Sequence, residues 1–503
     1  MTARAQTFRT PDLELSRPST RDRPCSEPVV LGLIVLALMS VGILMVFSAS
    51  RSATAAGDTW FFFKHIIFVP VAIGAMVAGA YFPYRRLNGF WPAVGIILLA
   101  VALLGLVLVF GVERNHARRW FELVLGPIRI SFQPSEFAKF AVVIFFAWFF
   151  GRHPAPSGWF VEYRRLNWLY RMLQGEARSF WRGFVPALLL IGAVCCLIAK
   201  EDFGTAALLG GVAVLVCLIA GWRWWFTLFL ILPASAGFYW FVWLVDYRRE
   251  RLEVWWDPWQ HFTGKGWHIC QSLMGIGSGG LTGVGLGAGI QKLYIPEVTT
   301  DFIFAAICEE MGMLGGLLVL GLFGALVWRA VRVVRTAPDR FSFLLASGIL
   351  LTIGLQAAMN IGVVTGALPA KGISLPFISY GGSGLVLTSF AAGLLIAIAR
   401  AAAAVSEKVS GTLRLKVPDT FSDPGAPARQ GDAVASPAAP PHPLVYMPTR
   451  TGPYWAPISD VRAPGGSALV SAGGAGDSPA TAGPVRPPVL GAESDPLEQD
   501  RVA

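Results

Sequence analysis

The chain has 503 residues, 54% of them hydrophobic and only 14% charged, with a mean hydropathy of +0.57, values that exclude an ordinary soluble globule. The formal net charge of +10 is read by location: in a membrane protein positive charge mostly reports orientation, so no nucleic-acid partner is expected. Six cysteines and six histidines are scattered in neither a disulfide framework nor metal-ligand spacing, so no protein-built metal site is expected.

In chain order, residues 1–28 carry Arg4, Arg9, Arg17, Arg21 and Arg23 among prolines and read as a disordered arm. The apolar run 29–47 is too long for a signal-peptide core and its leader is too long, so it reads as a first spanning helix. Further runs of spanning length fall at 61–80, 91–111, 133–151, 184–199, 204–221, 223–244, 301–328, 341–365 and 384–405. The expected fold is an all-α polytopic membrane protein with about ten transmembrane helices over 29–405. Residues 245–300, between the seventh and eighth spans, are too polar and glycine-rich to cross and form a large extracytoplasmic loop. Residues 406–503 turn rich in Pro, Ala and Gly and read as a disordered cytoplasmic tail. With the N-terminus inside, the arm, Arg85, Arg86, the six arginines of 152–183, Arg223, Arg329, Arg332, Arg335 and Arg340 all fall on the cytoplasmic side. That satisfies the positive-inside rule and puts both termini in the cytoplasm.

The other face carries cations that orientation does not require: Arg114, Arg118, Arg119 and Arg129, then Arg248, Arg249, Arg251, Lys265 and Lys292, and finally Lys371. Two readings stand: a solvated surface paired with Glu113, Glu250 or Glu253, or a site for an anionic ligand, since guanidinium groups suit phosphate geometry. Trp120, Trp255, Trp256, Trp259 and Trp267 beside these charges place the loop at headgroup level and point to an anionic amphiphile.

Asp301 stands at the mouth of the eighth span, and a membrane-edge carboxylate is a functional candidate by default. It reads either as a general base or as a helix-start carboxylate favoured by the dipole, which would lower its pKa. Glu136 and Lys139, three apart at the end of the fourth span, share a helix face. They form either a structural pair or a site in which Lys139 faces the cavity and places substrate or tunes Asp301. Glu309 and Glu310 lie about 12 Å along the axis from Asp301 and read as structural. The glycines of 275–289 lack the Lys-Ser/Thr of a nucleotide loop and read as tight turns with close packing at the membrane surface.

Several segments together resemble one family. They are Ala117-Arg-Arg-Trp120, the run 131–139 (SFQPSEFAK), Asp202-Phe-Gly-Thr-Ala206, Asp257-Pro-Trp259, Gln271-Ser272, the glycines 277–280, Gln291-Lys292, Pro296-Glu297 and Thr300-Asp-Phe-Ile-Phe304. Glu309-Glu310, the run 360–366 (NIGVVTG), Pro369-Ala-Lys-Gly372 and the run 375–383 (LPFISYGGS) follow in order. The pattern resembles the shape, elongation, division and sporulation (SEDS) family over about residues 30–405, and its "QK" and "SYGGS" are closer to the division branch (FtsW) than to the elongation branch (RodA). The resemblance implies a ten-helix peptidoglycan glycosyltransferase of the cytoplasmic (inner) membrane. Such an enzyme polymerises lipid II on the outer face, for septal synthesis in cell division, beside a class B penicillin-binding protein and other divisome proteins. It further implies Asp301 as catalytic base in a direct, inverting displacement. Arg118, Arg119, Glu136, Lys139, Lys292, Glu297 and Lys371 are the implied substrate-binding residues. A divalent cation, magnesium or manganese, is the one cofactor class left open, at the diphosphate. The chain departs from the family in having Thr299 where a histidine is usual. A flippase for the lipid-linked precursor, an elongation polymerase and a recruiting scaffold stay open as alternatives.

Overall fold

The computed structural model describes residues 27–50, 60–114, 117–125, 128–152, 185–222, 228–295, 297–415, 444–449 and 452–457. Residues 1–26 of the expected arm (1–28), the arginine-rich segment 153–184 and most of the expected tail lie outside these residues, while Glu27 and Pro28 already belong to the first helix. Without water, backbone polar groups must be satisfied within the segment, so long apolar runs become helices. The helices are α1 (Glu27–Ser50), α2 (Trp60–Tyr81), α3 (Phe90–Phe110), α4 (Pro134–Arg152), α5 (Val185–Glu201), α6 (Phe203–Ile219) and α7 (Leu228–Phe238). They continue with α8 (Asp246–Trp256), α9 (Trp267–Ser278), α10 (Ile303–Arg335), α11 (Arg340–Val364) and α12 (Gly382–Leu415).

Each of the ten expected spans coincides with a helix. Among the described residues seven helices are long and apolar enough to cross a membrane, namely α1 to α4 and α10 to α12. The other three spans are shorter. α5 and α6 have 17 residues each, and α7 has 11, continued by a π-helical turn at Tyr239–Trp243. The last helix runs ten residues past the expected end at 405. The chain is an α-helical, multi-pass membrane protein.

Successive helices run in alternating directions, which gathers the connections 111–133, 201–202, 244–302 and 365–381 at one end of the bundle. The connection 111–133 is not a plain loop. β1 (Val112–Arg114), β2 (Ala117–Leu125) and β3 (Ile128–Phe132) form an antiparallel sheet in that order, with Phe121 opposite Phe132 and Leu123 opposite Ile130. Its signal in the sequence is the period-two alternation of Ile128-Arg-Ile-Ser-Phe132. Within the expected loop 245–300, α8 and α9 are helical. At the opposite end of the bundle Glu27 pairs with Arg329 at 2.8 Å and Arg332 at 3.2 Å, and Arg340 donates to the Ala220 carbonyl at 2.8 Å.

α10 is broken at Gly312, whose backbone (φ 67°, ψ −164°) is not helical. The glycine-rich stretch fills the break: the backbone N–H groups of Val284 and Gly285 donate to the carbonyls of Glu309 and Glu310, and that of Met313 donates to Gly280. A Cβ on Gly312 would lie 2.3 Å from the Gly283 nitrogen, so only glycine admits this approach. The expected tight turns and close backbone packing are both present: Gly280, Gly283, Gly285 and Gly287 have positive φ, and the stretch satisfies carbonyls released by the kink.

Residues 419–503 form a separate unit. Its described part is an antiparallel hairpin of β4 (Leu444–Thr449) and β5 (Gly452–Pro457), with Tyr446 opposite Trp455.

Candidate active site

Asp301 precedes α10 and is held by its backbone on both sides. Its N–H donates to the Glu297 carbonyl at 3.0 Å, and its carbonyl accepts from the Asn360 amide at 2.7 Å. Glu297 takes a left-handed backbone (φ 56°), and its carbonyl also accepts from the N–H and the hydroxyl of Thr300. A non-glycine residue in that region carries strain that local bonding must overcome, a pattern concentrated at functional sites. Gly372 lies against the carboxylate, since a Cβ there would approach Asp301 Oδ2 to 3.0 Å. At the position where the family usually has histidine, Thr299 is buried and its carbonyl accepts from the N–H of Tyr380.

Burial is the largest influence on Asp301. Together with the neighbouring carboxylates Glu297 and Asp202 it pushes the pKa up from 3.8 to about 7, against the opposing pull of Arg119 and Arg251. The dipole of α10 alone would lower it; desolvation wins. At this helix start burial thus outweighs the dipole, and a carboxyl group raised to about 7 is suited to exchanging a proton near neutrality.

Beside it gather cations from three elements. Arg119 on β2 faces Asp202 at 4.0 Å. Asp202 caps α6 by accepting from the Thr205 N–H at 3.2 Å and its hydroxyl at 2.7 Å. Arg248 on α8 donates to the carbonyls of Phe241 and Lys200, both at 2.8 Å. Arg251, one turn on, donates to Ala370 at 3.3 Å. Lys371 lies over the Phe203 ring at 4.8 Å. Burial, then the positive charge of Arg251, lowers the Lys371 pKa to about 8, with Asp202 opposing and Arg248 and Arg119 adding to the lowering. A crevice between α3 and α5 opens beside this cluster, apolar at Leu104, Val107 and Ile198 and ended by Arg119, Glu201 and Asp202.

The structure brings Asp301, Arg119, Lys371 and Glu297 into one electrostatic neighbourhood. Arg118, next along the strand from Arg119, instead pairs with Glu113 at 3.5 Å, while its N–H donates to Glu201 at 2.8 Å. Adjacent strand residues point to opposite faces, yet both arginines line the crevice between α3 and α5. Glu136 and Lys139 form a buried pair at 2.9 Å, and Lys139 also donates to Gln356 at 2.6 Å. Lys292 is buried with Glu310 and Ser48. It serves the broken part of α10, where Glu309 accepts from the backbone N–H groups of Ile290 and Gln291. Arg129 has no described side chain.

The sequence places Arg248 and Arg251 among the outer-face cations open to an anionic ligand but not in the substrate-binding set. Their i, i+3 spacing on α8 was the available signal. Gln356 was missed and Asn360 was read only as part of the run 360–366, although two amides at i, i+4 on an apolar helix mark polar contacts inside a bundle. Among the described residues no group of three or more His, Cys, Asp or Glu side chains could hold a metal ion.

Residues 29–404 match the FtsW/RodA/SpoVE family, described as cell cycle proteins. The stage V sporulation protein E of Bacillus subtilis (strain 168) is 37% identical over 384 residues, covering 75% of this chain and 97% of its own. A probable peptidoglycan glycosyltransferase FtsW of Geobacter metallireducens is 36% identical over 375 residues, covering 73% and 93%. Among solved structures, a chain from a peptidoglycan synthase complex that coordinates polymerization and crosslinking superposes with a TM-score of 0.58 at 27% identity, covering 74% of this chain and 97% of that one. The rod shape determining protein RodA of Thermus thermophilus gives 0.51 at 26% identity, covering 74% and 95%. With helices falling in order within the expected spans and clustered cations beside Asp301, the chain belongs to the FtsW/RodA/SpoVE family of cell cycle proteins.

Proposed function

We propose that this protein is a peptidoglycan glycosyltransferase that polymerises lipid II into glycan strands, in the septal branch of wall synthesis. The observation that carries the chemistry is Asp301, a carboxyl group with a pKa near 7 on which Arg119 and Arg251 act, with Lys371 and Arg248 beside the same two arginines. Joining two lipid-linked sugars needs a base for the attacking hydroxyl and positive charge for the departing diphosphate. The Asp301 carboxylate takes the hydroxyl proton as the acceptor oxygen bonds to the anomeric carbon. The bond from that carbon to the diphosphate breaks with its electron pair, and the four cations receive the leaving group. The apolar crevice ending at Arg119 suits a lipid-linked diphosphate, with the chain in the membrane and the charge at the cluster.

The arginine distribution supports an active site on the outer face of the cytoplasmic membrane with both termini inside. The donor set does not fit a resident magnesium or manganese ion: Asp202 is engaged by Thr205 and faced by Arg119, and four cations surround the rest. The diphosphate's charge therefore falls to the side chains. Lys292, buried and paired with Glu310, is read as serving the break in α10 and not the substrate. Arg118 stands at its edge, and Glu297 borders Asp301. A class B penicillin-binding protein, with other division proteins, is the partner that would crosslink the product, in keeping with a solved relative's place in a synthase complex.

The test is polymerisation of lipid II in detergent micelles by the purified protein with its penicillin-binding partner, without ATP or an ion gradient. Glycan is expected from the parent protein, and Asp301→Asn should fold, bind the partner and lose about 10²- to 10⁴-fold in rate. Normal polymerisation by that variant would remove Asp301 from the role of base. No polymer from the parent, with lipid II moved across liposomes, would make the protein a transporter.

A further inference from the structure

Two amides stand one turn apart on α11, and both reach the connection that carries Lys371. The Gln356 Nε2 donates to the Ser374 carbonyl at 3.0 Å, and the Asn360 Nδ2 donates to the Ile373 carbonyl at 2.7 Å. That same Asn360 nitrogen also donates to the Asp301 carbonyl at 2.7 Å. On its other side the Gln356 Oε1 accepts from Lys139 at 2.6 Å, and Lys139 is paired with Glu136 at 2.9 Å. All four side chains are buried. Each amide's orientation is fixed by its partners: an ammonium can meet only the oxygen of Gln356, and carbonyls can meet only the nitrogens.

The consequence is a continuous set of bonds from the ion pair of α4, through α11, to two pieces of backbone. One piece bears Asp301. The other bears Lys371 and Gly372, and Gly372 touches the Asp301 carboxylate. Neither piece is helical, so neither has a regular hydrogen-bond ladder to fix it. The bonding groups are side chains of a rigid helix, the way precise sites are supported.

Resting on the transferase reading, we propose that Gln356 and Asn360 are positioning residues. They hold the Asp301 backbone and the 371–375 connection at a fixed separation, with the Glu136–Lys139 pair as their buried anchor. This gives that pair a role other than touching substrate: it orients Gln356, which orients the connection bearing Lys371. The Asn360 Oδ1, buried and without a hydrogen-bond partner among the described residues, shows that the side chain is placed for its donors.

The test uses full-length protein with its partner and three variants close in shape: Asn360→Leu, Asn360→Asp and Gln356→Met. Ser347→Ala, which removes a buried hydroxyl bonded within the same helix, is the control. Two readouts are taken. Amide hydrogen exchange over 297–302 and 371–380 should quicken in the three variants and stay as in the parent for the control. In lipid II polymerisation the rate should fall about 10- to 100-fold, the effect expected of a small misplacement, with KM held within about twofold. In Asn360→Leu and Gln356→Met the acid-side midpoint of the rate should also move down by a unit or more, because a loosened Asp301 gains water while Glu297, Asp202, Arg119 and Arg251 still face it; Asn360→Asp sets a further carboxylate beside Asp301 and should not lower it. A loss of folded protein lowers the rate but leaves that midpoint where it is, so the midpoint separates positioning from simple destabilisation. Unchanged exchange and an unchanged midpoint in Asn360→Leu and Gln356→Met would overturn the proposal. So would failure of all three variants to fold, which would make these residues determinants of the bundle alone. If Asp301→Asn polymerises normally, the base assignment fails, while the exchange experiment still decides the positioning role.

Discussion

Lys292 and Glu310 form an ion pair inside the bundle, where the lysine is 3% exposed and the glutamate 1%. Ser48 of α1 donates to the same carboxylate, and Gly287 donates to it through its N–H. The pair thus ties α1, the glycine-rich stretch and the break in α10 into one unit. Removing one member of a buried pair leaves a stranded charge, typically at a cost of about 3–5 kcal/mol. Lys292→Met should therefore lower thermal stability in detergent by that order, while the protein that stays folded keeps its KM for lipid II. A changed KM with unchanged stability would return Lys292 to the substrate. Glu136 and Lys139 should behave as a coupled pair too, the double alanine variant losing less stability than the sum of the single ones.

The rate should have a narrow pH optimum. Asp301 must be ionised to take a proton, so kcat/KM rises as pH passes about 7. Lys371 must be charged to help the diphosphate leave, so the rate falls as pH passes about 8. The expected profile is a bell centred between those values. Lys371→Arg, which stays charged, should keep the acid limb and extend the alkaline one. An alkaline limb unmoved in that variant would belong to another group.

Stability should carry the opposite signature of Asp301. Its folded pKa is raised, so the folded protein keeps the proton up to about pH 7 while the unfolded chain releases it near 3.8. Between those values the folded state binds more protons, and its stability falls as pH rises. Asp301→Asn removes that penalty. The variant should match the parent near pH 4, gain on it as pH rises, and hold the full advantage above about 7. Thermal unfolding across that range checks it. An advantage independent of pH would show that the carboxylate is not desolvated.

Topology is open to reporter fusions. A reporter at Arg171 or after Arg414 should sit in the cytoplasm and one within 260–290 on the outside. An outside signal at Arg171 would invert the placement of the active site.

How much of this was legible in the residues follows from what each kind of information encodes. Apolar runs of spanning length give helices because a membrane leaves the backbone no other partner, so ten spans could be read before any contact was known. The motif around Asp301 marked the carboxylate for the same local reason, being a charge at the edge of an apolar run. The companions of Asp301 could be placed on its side of the membrane, but not next to it. Arg119, Arg248, Arg251 and Lys371 lie on β2, α8 and the connection after α11, and only the folded bundle brings these distant segments together. Lys292 shows the converse: beside Gln291 it resembles a site residue, yet its ammonium turns inward to Glu310, and one residue's orientation is decided by packing that no window of sequence contains. The pKa of Asp301 belongs to the same class. Local sequence supplies the helix dipole that would lower it; tertiary structure supplies the desolvation that raises it, and the larger effect is the one that the chain acquires only on folding.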